Sequence, residues 1–434
     1  MRKARIYLAH LLIVAVIGAG GAASAVTLGR ISQPLHLRRF PILPVRVEED
    51  IDTSPITAVF RGVPPDIPGM LAQRSVRVIR FEPGRLMLYA GGQVVRRIPA
   101  DGRSMGLSQL AALIDDPSWI GSGPHGTFTL RAALVAVNGA TLRVGGPCRR
   151  LLLADRMGVF LGARHATLLI QSATVQSGVP AYRGRYRPFV LADNQSRLVI
   201  SRSRLIGLGW NWTDSYGVSW KSGTTGGATN STFSGNYFGI YTGGVSGVRI
   251  ANNYVHGNYF YGIDPHTGST GLAIVHNLVV GNGRHGIILA EHVTRSLVTG
   301  NTVLDNAANG IIVDEDSTGN VIDHNLVAAN GGDGIVLTGS PSNRVLGNIV
   351  RANRVGVRFT GTDPSSVLLQ GNVVSANDMD SEGAVSLAGN IVTSSSQVTW
   401  NDYALLIIWV LAGVLVIVTL ISLRSCLREA GRPR

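Results

Sequence analysis

Cysteine is almost missing from this chain: Cys148 and Cys426 are the only two in 434 residues. They fall on opposite sides of an expected membrane span, so no intrachain disulfide is expected between them. The ten histidines form no ligand-like cluster, although His266, His285 and His292 could approach one another in a folded cleft. No metal is therefore expected, and no motif calls for an organic cofactor. The LxxLxLxxN pattern of a leucine-rich horseshoe is absent. The calcium-binding nonapeptide of other β-helices is reduced to one partial match, GGDGIVL at 331–337, which argues against calcium rolls. Acids are in the minority, 26 against 39 Lys and Arg, for a formal charge of +13. The basic excess lies at both termini and between Arg143 and Arg204, whereas residues 250–340 hold eight acids against Arg284 and Arg295. That distribution argues against nucleic acid as a partner; the basic N-terminal half better suits anionic lipid or an acidic polymer.

What the chain does have is a repeat of 24 residues marked by two asparagine columns. One runs Asn253, Asn277, Asn301, Asn325, Asn348, Asn372; the other, five residues later, runs Asn258, Asn282, Asn306, Asn330, Asn353, Asn377. Between them recurs a Gly-Ile or Gly-Val pair at Gly262, Gly286, Gly310, Gly334 and Gly356. A fixed period signals a solenoid of stacked coils. Short β-branched runs such as GIILA and GIIVD, bounded by Gly, Asn or Asp, read as strands and turns. The pattern predicts an all-β, right-handed parallel β-helix with three short strands per coil and coils about 4.8 Å apart. The asparagines are expected as buried amide ladders, with no catalytic part.

The remaining segments divide as follows. Residues 1–25 carry a basic start, an apolar run and the small residues AASAV, the pattern of a secretory signal peptide or an uncleaved anchor. Residues 26–55 are a linker. Residues 56–126 mix strand-like runs with a helix over about 105–114, capped by Ser104, and suit a small α+β cap over the open end of the solenoid. The β-helix is expected over 127–391 and a linker over 392–403. Residues 404–423 are apolar and long enough to cross a bilayer. The arginines of 424–434 would keep that end cytoplasmic and the solenoid extracytoplasmic, tethered to the cell membrane.

One segment breaks the repeat with chemistry: YGIDPHTGS at 261–269. Aligning coils by the Gly-Ile pair puts His266, Ala290, Asp314 and Thr338 in one column, Thr267, Glu291 and Glu315 in the next, and Tyr261, His285, Asn309 and Asp333 in a third. His266 suits a proton-transferring base, oriented or tuned by Asp264; a hydrogen-bonded surface turn is the structural alternative. Twelve of the 27 aromatic residues fall between Trp210 and Tyr261, Trp220 and Tyr241 among them. Stacked coils gather part of such a set into a ridge suited to sugar rings, with Phe233 and Phe238 read as inward core filling.

SYGVSW at 215–220, FGIY at 238–241, VHGNYFYGIDPH at 255–266 and the later GI coils resemble the periplasmic alginate (poly-mannuronate) C5-epimerases. The resemblance spans roughly 187–363 and includes RPF at 187–189. It implies a right-handed parallel β-helix in which His266 takes the C5 proton of a 4-linked uronosyl residue, with Asp264 its partner and Tyr261 the motif tyrosine. His285 remains available as a second acid or base. The chain departs from the family at three positions: Thr267 stands where DPHD has its second acid, and Glu291 and Glu315 stand where arginines help hold the uronate carboxylate. Charge grows on that carboxylate during proton abstraction. At ~4 Å and an effective dielectric of about 20, like charges cost about 4 kcal/mol. His292, Arg284 and Arg295 are possible compensating cations.

The expected ligand is an extended acidic or neutral polysaccharide, contacted by Tyr261, Trp220, Tyr241, Thr267, Glu291, His292 and Asp314. Three activities remain open: an epimerase or β-eliminating lyase, a non-catalytic protein that binds or guides a polysaccharide, and a hydrolase pairing Asp314 with Glu291 or Asp264.

Overall fold

The structure is a computed structural model that describes residues 76–393 except 157, 179–181, 185 and 212–214. One coil consists of the strands Ile263–His266, Ala273–Val275 and Leu278–Val280. Equivalent strands of successive coils pair in parallel, building three sheets that we call faces 1, 2 and 3 in that order. The protein is thus the all-β right-handed parallel β-solenoid expected from its period.

Alternation along each strand explains the packing. On face 1, Ile263, Ile287, Ile311 and Ile335 stack in register and are fully buried in the interior. Their successors Asp264, Ile288, Ile312 and Val336 point to the outer side of the same sheet. The step is 24 residues from Ile263 to Ile287 (287 − 263) but 28 from Val190 to Val218 (218 − 190). The added turn residues in the N-terminal coils are why their repeat is faint in the sequence.

Both asparagine columns are buried ladders. Each Nδ2 donates to the Oδ1 one coil on: Asn253 to Asn277 at 3.0 Å, Asn277 to Asn301 at 2.9 Å, and Asn258 to Asn282 at 2.8 Å. The same Oδ1 accepts the backbone N–H of the preceding coil's asparagine, so turn donors facing the core are satisfied. Gly262 is needed beside this ladder, since a Cβ there would sit 2.5 Å from Gly286 O and 2.9 Å from Asn282 Nδ2. Asn236 and Asn390 extend the columns at either end.

Two details differ from expectation. The helix is Leu107–Ile114, preceded by Gly106, whose N–H donates to Gln109 Oε1 at 2.9 Å. Ser104 is in a strand, its hydroxyl accepting from Arg143 at 2.9 Å. It does not cap the helix because the chain enters the helix only after pairing with face 2. The solenoid also starts before residue 127: Arg77–Glu82, Ser104–Gly106 and Thr127–Leu130 pair in parallel with the next coil on faces 1, 2 and 3. The helix turns Leu107, Leu110, Ala111 and Ile114 into the shared core. Residues 1–25, 26–55 and 404–423 lie outside the described residues. Among the described residues no helix is long and apolar enough to cross a membrane.

Candidate active site

The outer side of face 1 brings most of the candidate residues together. Asp264 and His266 project from Ile263–His266, while Ile240–Gly243 of the preceding coil places Tyr241 beside Asp264 and Gly243 beside His266. One coil further back, Val218–Lys221 places Lys221 beside Gly243. The missing side chain at Gly243 leaves room that Lys221 fills: its Nζ lies 3.2 Å from where a Cβ would be and 5.5 Å from the Tyr241 ring centre. Ile288, Ala290, Ile312 and Val336 form an apolar floor on the C-terminal side, with Tyr261 against it.

His266 is tightly held. Its Nδ1 lies 2.9 Å from Thr267 Oγ1 and 3.2 Å from Glu291 Oε2, and the Thr267 hydroxyl donates to the same Glu291 oxygen at 2.9 Å. A hydroxyl has one proton, and Thr267 has committed it to Glu291. Nδ1 must therefore be the donor in this cluster, which leaves the Nε2 lone pair as the basic atom. Burial lowers the His266 pKa below its usual value, Glu291 and Glu315 pull it back up, and Lys221 lowers it. Glu291 thus contacts the His266 ring directly.

Asp264 is fully buried, and its Oδ1 has no hydrogen-bond partner among the described residues. Burial and then the Glu291 charge push its pKa well above the usual carboxylate range.

His285 is also buried. Its Nδ1 accepts the Asn309 N–H at 3.1 Å, and its ring stacks on Tyr261 at 5.3 Å. Burial first, and Arg284 second, bring its pKa down to about 4. With Nδ1 accepting, the proton of this neutral ring sits on Nε2. The Tyr261 phenol is pushed up to about 12 by burial, so it keeps its proton. Asn309 Oδ1 accepts from Asp333 N–H at 2.9 Å, completing the third column read from the repeat.

Trp220 is not at the surface. It is fully buried, with its indole N–H donating to Leu198 O at 3.1 Å, so it fills the core and is unavailable to a sugar. Tyr216, Tyr237, Phe238, Tyr241, Tyr259, Phe260 and Tyr261 form one aromatic cluster with Tyr182. Phe238 belongs to it, unlike Phe233, which is in the interior. Tyr254 lies apart on face 3, stacked on His256. His292 is exposed in a left-handed turn with no side-chain hydrogen bond among the described residues. Asp314 accepts the N–H of Glu315 at 2.9 Å, two coils from His266. No group of three or more potential metal ligands occurs among the described residues. Lys221 was missed by motif reading because it is two coils from the DPH segment; the Gly243 gap is what brings it close.

Comparison with known proteins agrees with this architecture. The profile of the family described as "Right handed beta helix region" matches residues 158–320, 216–374 and 288–408, together over half of the chain. The chain belongs to that family. It is homologous to mannuronan C5-epimerase AlgG of Azotobacter vinelandii, 30% identical over 221 residues, 46% of this chain and 42% of the relative. The mannuronan C5-epimerase of Pseudomonas aeruginosa is 28% identical over 197 residues, 41% of this chain and 36% of the relative. The match thus spans less than half the length of these two curated relatives. The solved periplasmic alginate epimerase AlgG superposes with a TM-score of 0.61 at 24% identity, covering 69% of this chain and 84% of that one, a likeness of fold.

Proposed function

We propose that this right-handed β-helix protein is an extracytoplasmic polysaccharide-modifying enzyme of the mannuronan C5-epimerase type, with His266 as the base. The observation that carries the reading is the Thr267–Glu291 clamp on His266 Nδ1. It orients the ring and presents Nε2 unprotonated, the form that general-base catalysis needs. Nε2 takes the C5 proton of a 4-linked uronosyl residue, and the electron pair of the C5–H bond moves into the sugar carboxylate. Lys221 faces the charge that develops there and stands in for the cations lost at Glu291 and Glu315. Return of a proton to the opposite side of C5 completes epimerisation, and Tyr261 is the protonated group suited to it. Expulsion of the 4-linked sugar would instead make the protein a lyase. The aromatic cluster offers sugar rings a platform. Extracytoplasmic placement is supported by the periplasmic relative and by the signal-like residues 1–25. Membrane tethering rests on the apolar run at 404–423.

The test is proton exchange: polyuronates incubated with the protein in deuterated water, with NMR detection at C5. Deuteration lost in His266→Ala supports the reading. Absence of exchange on every polyuronate favours a binding protein, the reading that Glu315 at an arginine position supports. Turnover that survives His266→Ala points to a carboxylate hydrolase.

A further inference from the structure

We infer that face 2 carries a second, non-catalytic binding site for an anionic sugar unit, held between Arg197 and Arg249. A concavity on this face, about 420 Å³, does not have His266 in its lining: it is lined by Arg197, Val199, Thr225, Gly227, Ser246 and Arg249, among others. It arises from a gap in one column of outward side chains. Val199 pairs with Gly227 and Gly227 with Arg249, so the middle coil has no side chain between them.

The gap is permanent. Gly227 has φ of +149°, and a Cβ there would lie 2.0 Å from Arg249 O. Its neighbour Gly226 has φ of +105° and would collide with Leu198 O at 2.2 Å, the oxygen that also accepts from the buried Trp220 indole. Both glycines are thus set by the backbone, and one consequence is an open notch on the surface.

Its chemistry points to an acidic sugar. Arg197 and Arg249 are exposed and stand diagonally, two coils apart along the axis (about 9.6 Å) and two residues apart along the strand (about 7 Å). Neither has a side-chain hydrogen bond or ion pair with a described residue. Thr225, Thr229 and Ser246 add hydroxyls, and no carboxylate lines the notch. A guanidinium fork matches a carboxylate or sulfate group, and hydroxyls around a side-chain-free floor suit a sugar ring approaching the backbone closely. A lipid surface, being broad and flat, has no use for a notch. Ser246 belongs to the turn that joins face 1 to face 2, and Lys221 begins the corresponding turn one coil earlier. The notch therefore borders the edge of the catalytic face and is suited to retain a polyanionic chain whose other residues lie there.

The experiment uses the full chain, titrated with uronic-acid oligosaccharides and with neutral glucose oligosaccharides of equal length. Calorimetry and NMR are run on the wild type, His266→Ala and the double variant R197Q/R249Q. The expected result is uronate-selective binding that perturbs Gly227 and Thr225, persists in His266→Ala and weakens tenfold or more in the double variant. Both arginines are exposed, so a circular-dichroism spectrum unchanged from wild type is expected. Equal binding by wild type and double variant, or equal affinity for neutral chains, overturns the inference. So does binding of anionic phospholipid vesicles that requires the arginines without any uronate binding. Because binding rather than turnover is read, failure here leaves the His266 reading untouched, and loss of turnover chemistry leaves this site untouched.

Discussion

Glu291 Oε2 lies 3.2 Å from His266 Nδ1 although the two residues are 25 positions apart (291 − 266), on successive coils. The acid missing from the residue after His266 is thus supplied by the coil above, with the Thr267 hydroxyl joined to both.

Glu291→Gln is expected to lower kcat by about 10²-fold, within the range of general-base contributions, with little change in KM. Glu291 raises the His266 pKa, so its removal also moves the acidic limb of the pH–rate profile to lower pH. An unchanged profile with unchanged kcat would mean that Glu291 does not act on the base.

Lys221→Gln is expected to reduce turnover of a uronate polymer about 10²-fold, as for loss of one group facing a developing oxyanion. Steady-state kinetics with the polymer and with its carboxyl-methylated ester separates the developing charge from that of the ground-state carboxylate. The ester's enolate gains the same unit of negative charge, so its kcat should fall as well; an unaffected ester would mean that Lys221 only neutralises the ground-state carboxylate.

Stability should rise with pH between about 4 and 6.5, because buried His285 resists protonation that the unfolded chain accepts. The lowered pKa gives stability that is present above the unfolded value and lost as pH falls through the folded one, about 3 kcal/mol in all. Asp264 acts in the opposite sense: its raised pKa makes its contribution fall as pH rises above the ordinary carboxylate value. Thermal melts across pH should show a shallower acid slope in His285→Phe and a retained or higher Tm at pH 8 in Asp264→Asn.

Asn301→Ala should destabilise the fold by on the order of 3 kcal/mol, since it removes the acceptor of the buried Asn277 N–H and Nδ2 and the side-chain donor to Ile274 O, while Asn325 Oδ1 keeps the Asn301 backbone N–H. Denaturant unfolding measures the loss. Deuterium exchange at C5 well below the new midpoint should be unaffected, because the ladder lies at the turn between faces 2 and 3.

The solenoid was legible because every coil must place an apolar side chain inward and satisfy the same turn donors, so Ile263 and Asn277 recur at one period. The same period correctly aligned Thr267 with Glu291 and Tyr261 with His285. It left Trp220 ambiguous, because an aromatic residue in a strand reads alike whether it faces a sugar or the core. Ser104 misled for a related reason: a capping residue is recognised by its neighbours in sequence, but pairing with face 2 claimed it first.

The solenoid, its coil-to-coil register and the column in which His266 stands follow from the order of residues alone, through side-chain alternation and backbone hydrogen bonding repeated along one dimension. What each polar group does within that column depends on the folded neighbourhood. Whether Glu291 repels a substrate or grips Nδ1, whether Asp264 is charged, and whether Lys221 reaches across Gly243 depend on ångström distances and burial between coils, which no linear pattern encodes.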